Sequence, residues 1–309
     1  MTWIIVALLG HAANGFAFVI DKILLKNAFK RSATYAGLVG LLSALAILLV
    51  PWMPGWPEGG DLMLGMVSGV TFMAALWTFF AALSRGEASR VVPVISAMIP
   101  IATLGGTSVF LGERLTVREL IGFALLIVAT IVLASGKTQN RMSKAALGFA
   151  VLSALMFAIS SVSGKAVYDS AGFLSGFVTS RVTAALTALL LALLIDPLSG
   201  AEIMDIVRAK KTDKKAKGQV ISGSAAAKLA IAGQLMGGIG FIGVQYAMSL
   251  GSAAIVNALQ VMQFALLVLV AFFLKSKAQT LLGESLNKSV IAIKAVALVI
   301  MAAGLALVV

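Results

Sequence analysis

The feature that most constrains this chain is a series of long apolar runs, near residues 3–20, 33–50, 62–83, 91–111, 119–135, 145–164, 172–194, 228–249, 253–274 and 289–308. An α-helix of ~20 apolar residues is what it takes to cross the hydrocarbon core of a bilayer. The pattern therefore predicts an all-α polytopic membrane protein with ten transmembrane helices. Most links between runs are short, so sequential neighbours are expected to run antiparallel. The Met-Thr-Trp start has no basic region and no convincing small-residue cleavage site, so residues 3–20 read as a retained first helix.

Composition agrees. Only 12% of residues are charged, 60% are hydrophobic and the mean hydropathy is +1.04, whereas soluble chains carry about 25% charged residues. The net charge of +12 is not read as a nucleic-acid footprint, because the basic residues lie between apolar runs rather than along one face. By our count, 19 of the 24 Lys and Arg fall in or beside the links after the odd-numbered runs. The positive-inside rule then places both termini outside the cytoplasm.

Two loops stand out. Residues 196–226 hold the basic stretch Arg208 to Lys217, read as an orientation-fixing solvated loop or as a contact for anionic lipid head groups. Residues 51–60 hold no basic residue; prolines stop the second helix there, and Trp52 and Trp56 suit a membrane–water interface.

The halves echo one another. Leu111-Gly-Glu-Arg-Leu115 precedes the fifth run and Leu282-Gly-Glu-Ser-Leu286 the tenth. Gly65 and Gly69 in the third run match Gly233 and Gly237 in the eighth, and Lys22 and Lys165 close the first and sixth. Three echoes in one order predict five-helix repeats over 1–137 and 138–309. Five is odd, so the second copy must insert upside down, an arrangement typical of secondary transporters.

Motifs narrow the chemistry. Gly238-Ile-Gly-Phe-Ile-Gly243 spells a dinucleotide fingerprint, but inside an apolar helix it reads as a close-packing face. No Walker sequence occurs, and none of the twelve acids lies mid-helix, which argues against a carboxylate proton relay. The chain has no cysteine and a single histidine, His11, so neither a metal nor another cofactor is expected. An intramembrane enzyme is disfavoured because no acid–base pair or activated nucleophile can be assembled. His11 is a candidate for proton coupling or simply a hydrogen-bonded helix residue.

Arg181 is the sharpest single feature, because an arginine at mid-helix costs about 2.5–3.5 kcal/mol on the insertion scale. It is expected either to face a wet cavity and bind an anionic substrate group or to make structural bonds to carbonyls or a helix-end acid. Lys294, nearer a helix end, is expected to snorkel. Asn257, Gln260 and Gln263 share one helix face. Pro93, Ser96 and Pro100 occur with similar spacing in the fourth run, where prolines interrupt the backbone ladder. Asn14 and Trp77 complete the set. Each of these is a candidate substrate contact or a packing contact between helices.

The run Gly86-Glu-Ala-Ser-Arg-Val-Val-Pro93, then Ile99-Pro100, Leu111-Gly-Glu-Arg-Leu115 and Gly122, together with His11-Ala-Ala-Asn14-Gly and Lys22, resembles the EamA-like domain of the drug/metabolite transporter superfamily. That domain is a five-helix unit usually present twice. The resemblance implies a secondary transporter of a small metabolite, amino-acid-like or another organic solute, working by alternating access in a bacterial inner membrane. It also implies a cavity among helices 1, 3, 4, 6, 8 and 9. The second half departs from the pattern, with Gln263 near the counterpart of Pro100 and Lys275 to Thr280 inserted before its Leu-Gly-Glu. Family members commonly keep both termini in the cytoplasm, against the charge count. Expected partners are a small-molecule substrate and membrane lipids, with no nucleic acid. The rival reading is a non-transporting assembly or lipid-interacting membrane protein.

Overall fold

A computed structural model describes residues 2–25, 32–135, 142–195, 223–274 and 288–309. Each expected apolar run contains helix, and no strand occurs among the described residues. The order is α1 (Thr2–Leu25), α2 (Ser32–Leu42), a 3-10 helix (Ser43–Trp52), α3 (Gly59–Leu83), α4 (Ala88–Phe110), α5 (Val117–Ala134), α6 (Lys144–Ala171) and α7 (Phe173–Leu190). There follow a π-helical turn (Leu191–Ile195), α8 (Gly223–Leu250), α9 (Ala253–Ala258), α10 (Val261–Leu274) and α11 (Lys288–Val308). Eight helical segments among the described residues, α9 and α10 counting together as one, are long and apolar enough to cross a membrane. Most of the basic loop, the insertion before the second Leu-Gly-Glu, that motif itself and the Lys22 side chain lie outside the described residues.

Two expected runs are not simple α-helices. The second changes from α to 3-10 geometry after Leu42. With ~1.5 Å per α residue and ~2.0 Å per 3-10 residue, residues 32–52 reach roughly 36 Å, enough to span the apolar core. The ninth is interrupted at Leu259 and Gln260, between α9 and α10.

The chain forms two compact units. One comprises Met1–Ala28, Arg114–Lys137 and Lys214–Val309; the other comprises Phe29–Glu113 and Thr138–Asp213. Each draws helices from both sides of residue 137, so compact units and sequence echoes partition the chain differently.

In the first unit α1 lies antiparallel to α8. A Cβ on Gly10 would come within 2.9 Å of both Gly240 O and Val244 N, Ile20 packs on Gly233, and Ala17 faces Gly237. Glycine is required at such crossings because the backbones themselves touch. The Gly238–Gly243 run is thus a packing face, carried by Gly240 and Gly243, while Gly238 faces open space. Helices α5 and α11 cross where a Cβ on Gly122 would sit 2.8 Å from Gly304 O. Arg118 donates to Ala306 O at 2.9 Å, placing a cation at the C-terminal turn of α11, where the helix dipole favours it. A capping box starts α5: Glu119 N donates to Thr116 Oγ1 and Thr116 N to Glu119 Oε2. Lys294, expected to snorkel, is instead only 7% exposed; the packing of α11 encloses it.

In the second unit α3 lies antiparallel to α6, joined by hydroxyl-to-carbonyl bonds. Ser68 Oγ donates to Ser160 O at 2.9 Å, Ser160 Oγ to Ser68 O at 2.8 Å, and Ser153 Oγ to Ala75 O at 2.9 Å. The other side of α3 meets α7, with Gly65 beside Thr179 and Gly69 against the Ser180 carbonyl and Ala184 N. Ala82, Val91, Ile95, Ala150 and Ala154 form a buried apolar cluster of α3, α4 and α6. The Leu-Gly-Glu motif ends α4: Gly112, at φ 66°, turns the chain back so that Glu113 N donates to Thr107 O at 3.1 Å.

Candidate functional site

The candidate residues divide between the units: His11, Asn14, Asn257, Gln260 and Gln263 in the first, and Trp77, Pro93, Ser96, Pro100 and Arg181 in the second.

The first group is organised by the interruption between α9 and α10. Gln260 N donates to Asn257 O at 3.3 Å and Gln263 N to Gln260 O at 2.9 Å. These are three-residue steps, so the four-residue ladder that would use the Val256 carbonyl is broken. His11, 4% exposed, supplies the missing donor: its Nε2 lies 2.8 Å from Val256 O. A carbonyl oxygen only accepts, so Nε2 carries hydrogen, and Nδ1 of the neutral ring presents a lone pair. The Gln263 side-chain amide donates to that lone pair at 2.9 Å. One imidazole thus bonds the helix on both sides of its interruption. Asn257 is buried, and Gln260 and Gln263 are half-buried. Asn14 lies one turn beyond His11, its side chain against Gly240, where a Cβ would come within 2.5 Å of Asn14 Oδ1.

The second group centres on Arg181, which is 3% exposed. Its guanidinium carbon lies 4.1 Å from the centroid of the Phe72 ring and 6.0 Å from that of Phe177. Its Nε is 3.5 Å from Ser180 Oγ, a long contact. Ser180 Oγ donates to Phe177 O at 2.9 Å. Phe173 joins the assembly, its centroid 5.5 Å from Tyr168 and 5.3 Å from Phe177. An aromatic face attracts a desolvated cation by ~2 kcal/mol or more, comparable to the cost of placing arginine there. The sequence pointed to an anion, carbonyls or a helix-end acid as partners of Arg181; the rings are contacts it did not point to. Phe177, four residues before Arg181 and on the same face, was a readable signal; Phe72, on another helix, gave none.

Pro93, Ser96 and Pro100 are buried along one stripe of α4 that continues through Thr103 and Thr107, and Trp77 is half-buried in α3. Pro100 has no N–H for the Ser96 carbonyl, so α4, like the α9–α10 segment, has an irregular ladder inside the span. Among the described residues no cluster of His, Cys, Asp and Glu could hold a metal ion.

Fold and polar interior together define a polytopic helical membrane protein. Over residues 1–135 the chain matches the EamA-like transporter family, whose members are generally membrane transporters of small solutes. A solved structure described only as the crystal structure of a protein is 16% identical, with a TM-score of 0.66, over 98% of this chain and 97% of that one; the likeness bears on the fold. No curated protein matches the chain.

Proposed function

We propose that this protein is a secondary transporter that moves a small organic solute, amino-acid-like or another metabolite, by alternating access. The observation that carries this reading is the interrupted span at Leu259–Gln260, lined by His11, Asn257, Gln260 and Gln263, in a chain matching a transporter family. An interruption of the backbone within a membrane span is tolerated where protein or a wet cavity meets its polar groups, and broken helices are where transporters bind cargo.

A duplicated, inverted architecture is part of the proposal. If Lys22 corresponds to Lys165 and Gly65 to Gly233, then the pair Gly10–Gly243 corresponds to Ser153–Ala75. The first pair is a close contact of α1 with α8, and the second is a hydrogen bond between α6 and α3. Two helix pairs in the same register support two related halves exchanging their first helices. The repeat boundary at 137/138 belongs to this proposal.

Arg181 is assigned the anionic group of the cargo, a carboxylate or phosphate, with Phe72 holding the guanidinium plane. Trp77, Pro93, Ser96 and Pro100 in one unit, and Asn14 and the three amides in the other, are each assigned as solute contacts. The test is uptake of anionic solutes into proteoliposomes by the wild type, Arg181→Ala and Arg181→Lys. The expected result is that alanine abolishes uptake and lysine, a charge without the planar fork, retains a small part of it. Normal uptake by both variants would remove Arg181 from the pathway.

A further inference from the structure

We propose that His11 is a proton-binding site whose charge is transmitted to Gln263 across the interruption between α9 and α10. In the neutral ring both nitrogens are engaged, Nε2–H with Val256 O before the interruption and Nδ1 with the Gln263 amide after it. Binding of one proton at Nδ1 leaves the first bond intact and sets the second donor-to-donor, since the imidazolium has two N–H groups and no lone pair. The shortest relief is a half-turn of the Gln263 amide, which brings Oε1 to the ring and turns the NH2 group to the other side. Both imidazolium N–H groups then have acceptors, the condition for keeping a charge in an apolar interior. Proton uptake thereby changes the group Gln263 presents away from His11 from an acceptor to a donor.

His11 has Val256 and Gln263 as its polar partners. On α8, which packs along α1, Lys228 lies twelve residues from the Gly240 level, ~18 Å along the helix, and Tyr246 is exposed. Neither α9 nor α10 carries a titratable residue before Leu274. On α5 and α11, which flank them, Arg118 and Glu119 are engaged with Ala306 and Thr116, Lys288 is the first residue of α11, and Lys294 is enclosed by the packing of α11. Within α1 itself the other charges are Asp21 and Lys22, near its end.

The proton site stands on geometry alone; its use to drive transport rests on the function proposed above. The chain holds one histidine, so 15N-histidine labelling of the full-length protein gives one imidazole to follow by NMR through a pH titration. The expected signal at alkaline pH is the Nε2–H tautomer, becoming doubly protonated as pH falls, with the Gln263 side-chain amide shifting at the same midpoint. Gln263→Glu, which sets a carboxylate against the ring, is expected to raise the midpoint by about one pH unit or more; Gln263→Leu, which removes the acceptor, is expected to lower it. An Nδ1–H tautomer, a ring still neutral from about pH 9 down to about 4.5, or the same midpoint in wild type and Gln263→Glu would each overturn the proposal. If Gln263→Leu does not fold, the other two proteins decide. The readout needs no transport, so failed uptake with these shifts intact would count against the transporter reading alone.

Discussion

Arg181 shows how far a single residue could be read. Its position in an apolar helix signalled that something must offset its charge, and one contact that does so is the Phe72 ring, 109 positions away in sequence. No pattern in one sequence encodes a contact of that range. Phe72 also meets Phe157 edge-on, at 6.0 Å, which allows a clean comparison. Phe157→Leu removes the ring pair alone, whereas Phe72→Leu removes the ring pair and the cation's platform. We expect Phe72→Leu to cost ~1–2 kcal/mol more than Phe157→Leu, read from detergent or denaturant unfolding. Equal losses would mean that the ring face contributes nothing to holding Arg181. The reciprocal Ser68–Ser160 bonds should be modest: each alanine variant is expected to lose about 0.6 kcal/mol, the usual value for side-chain bonds between membrane helices.

Elements were the most legible scale. Length and hydropathy sufficed to place every apolar run, because the bilayer allows few solutions to the backbone hydrogen-bond problem. What the runs did not reveal were the interruption at Leu259–Gln260 and the 3-10 stretch after Leu42. The interruption occurs without a proline and is met by His11, 245 residues away, so no local signal marks it. The glycine echoes were visible as spacing, while their individual roles depend on the facing helix. Gly69→Ala is expected to destabilise by about 1–3 kcal/mol, because its Cβ would press on the backbone of Ser180 and Ala184. Gly238→Ala faces open space and is expected to be neutral or slightly stabilising through helix propensity. Similar unfolding of the two variants would contradict the α3–α7 packing.

For the whole molecule, sequence echoes suggested duplication, while the compact units, each built from both halves, could not be foreseen from them. Which helices pack together depends on faces whose polarity is nearly uniform in an apolar chain. Orientation is a prediction at this scale. The absence of cysteine makes Trp56→Cys, in an exposed turn, a single reporter for a membrane-impermeant thiol reagent. The charge count expects labelling from outside intact cells; labelling only after the membrane is opened would favour the orientation common in the family.

The central claim is that this fold binds and moves a small solute through its polar interior, with Arg181 taking the anionic group. The most direct measurement is a thermal-shift screen of purified protein against anionic, zwitterionic and cationic metabolites, repeated with Arg181→Ala. A ligand at ~100 times its dissociation constant stabilises the folded state by ~2.7 kcal/mol. The account predicts a clear shift with a narrow group of carboxylate- or phosphate-bearing compounds that disappears in the variant. A selective shift with cationic compounds alone, or one unchanged in Arg181→Ala, would contradict it.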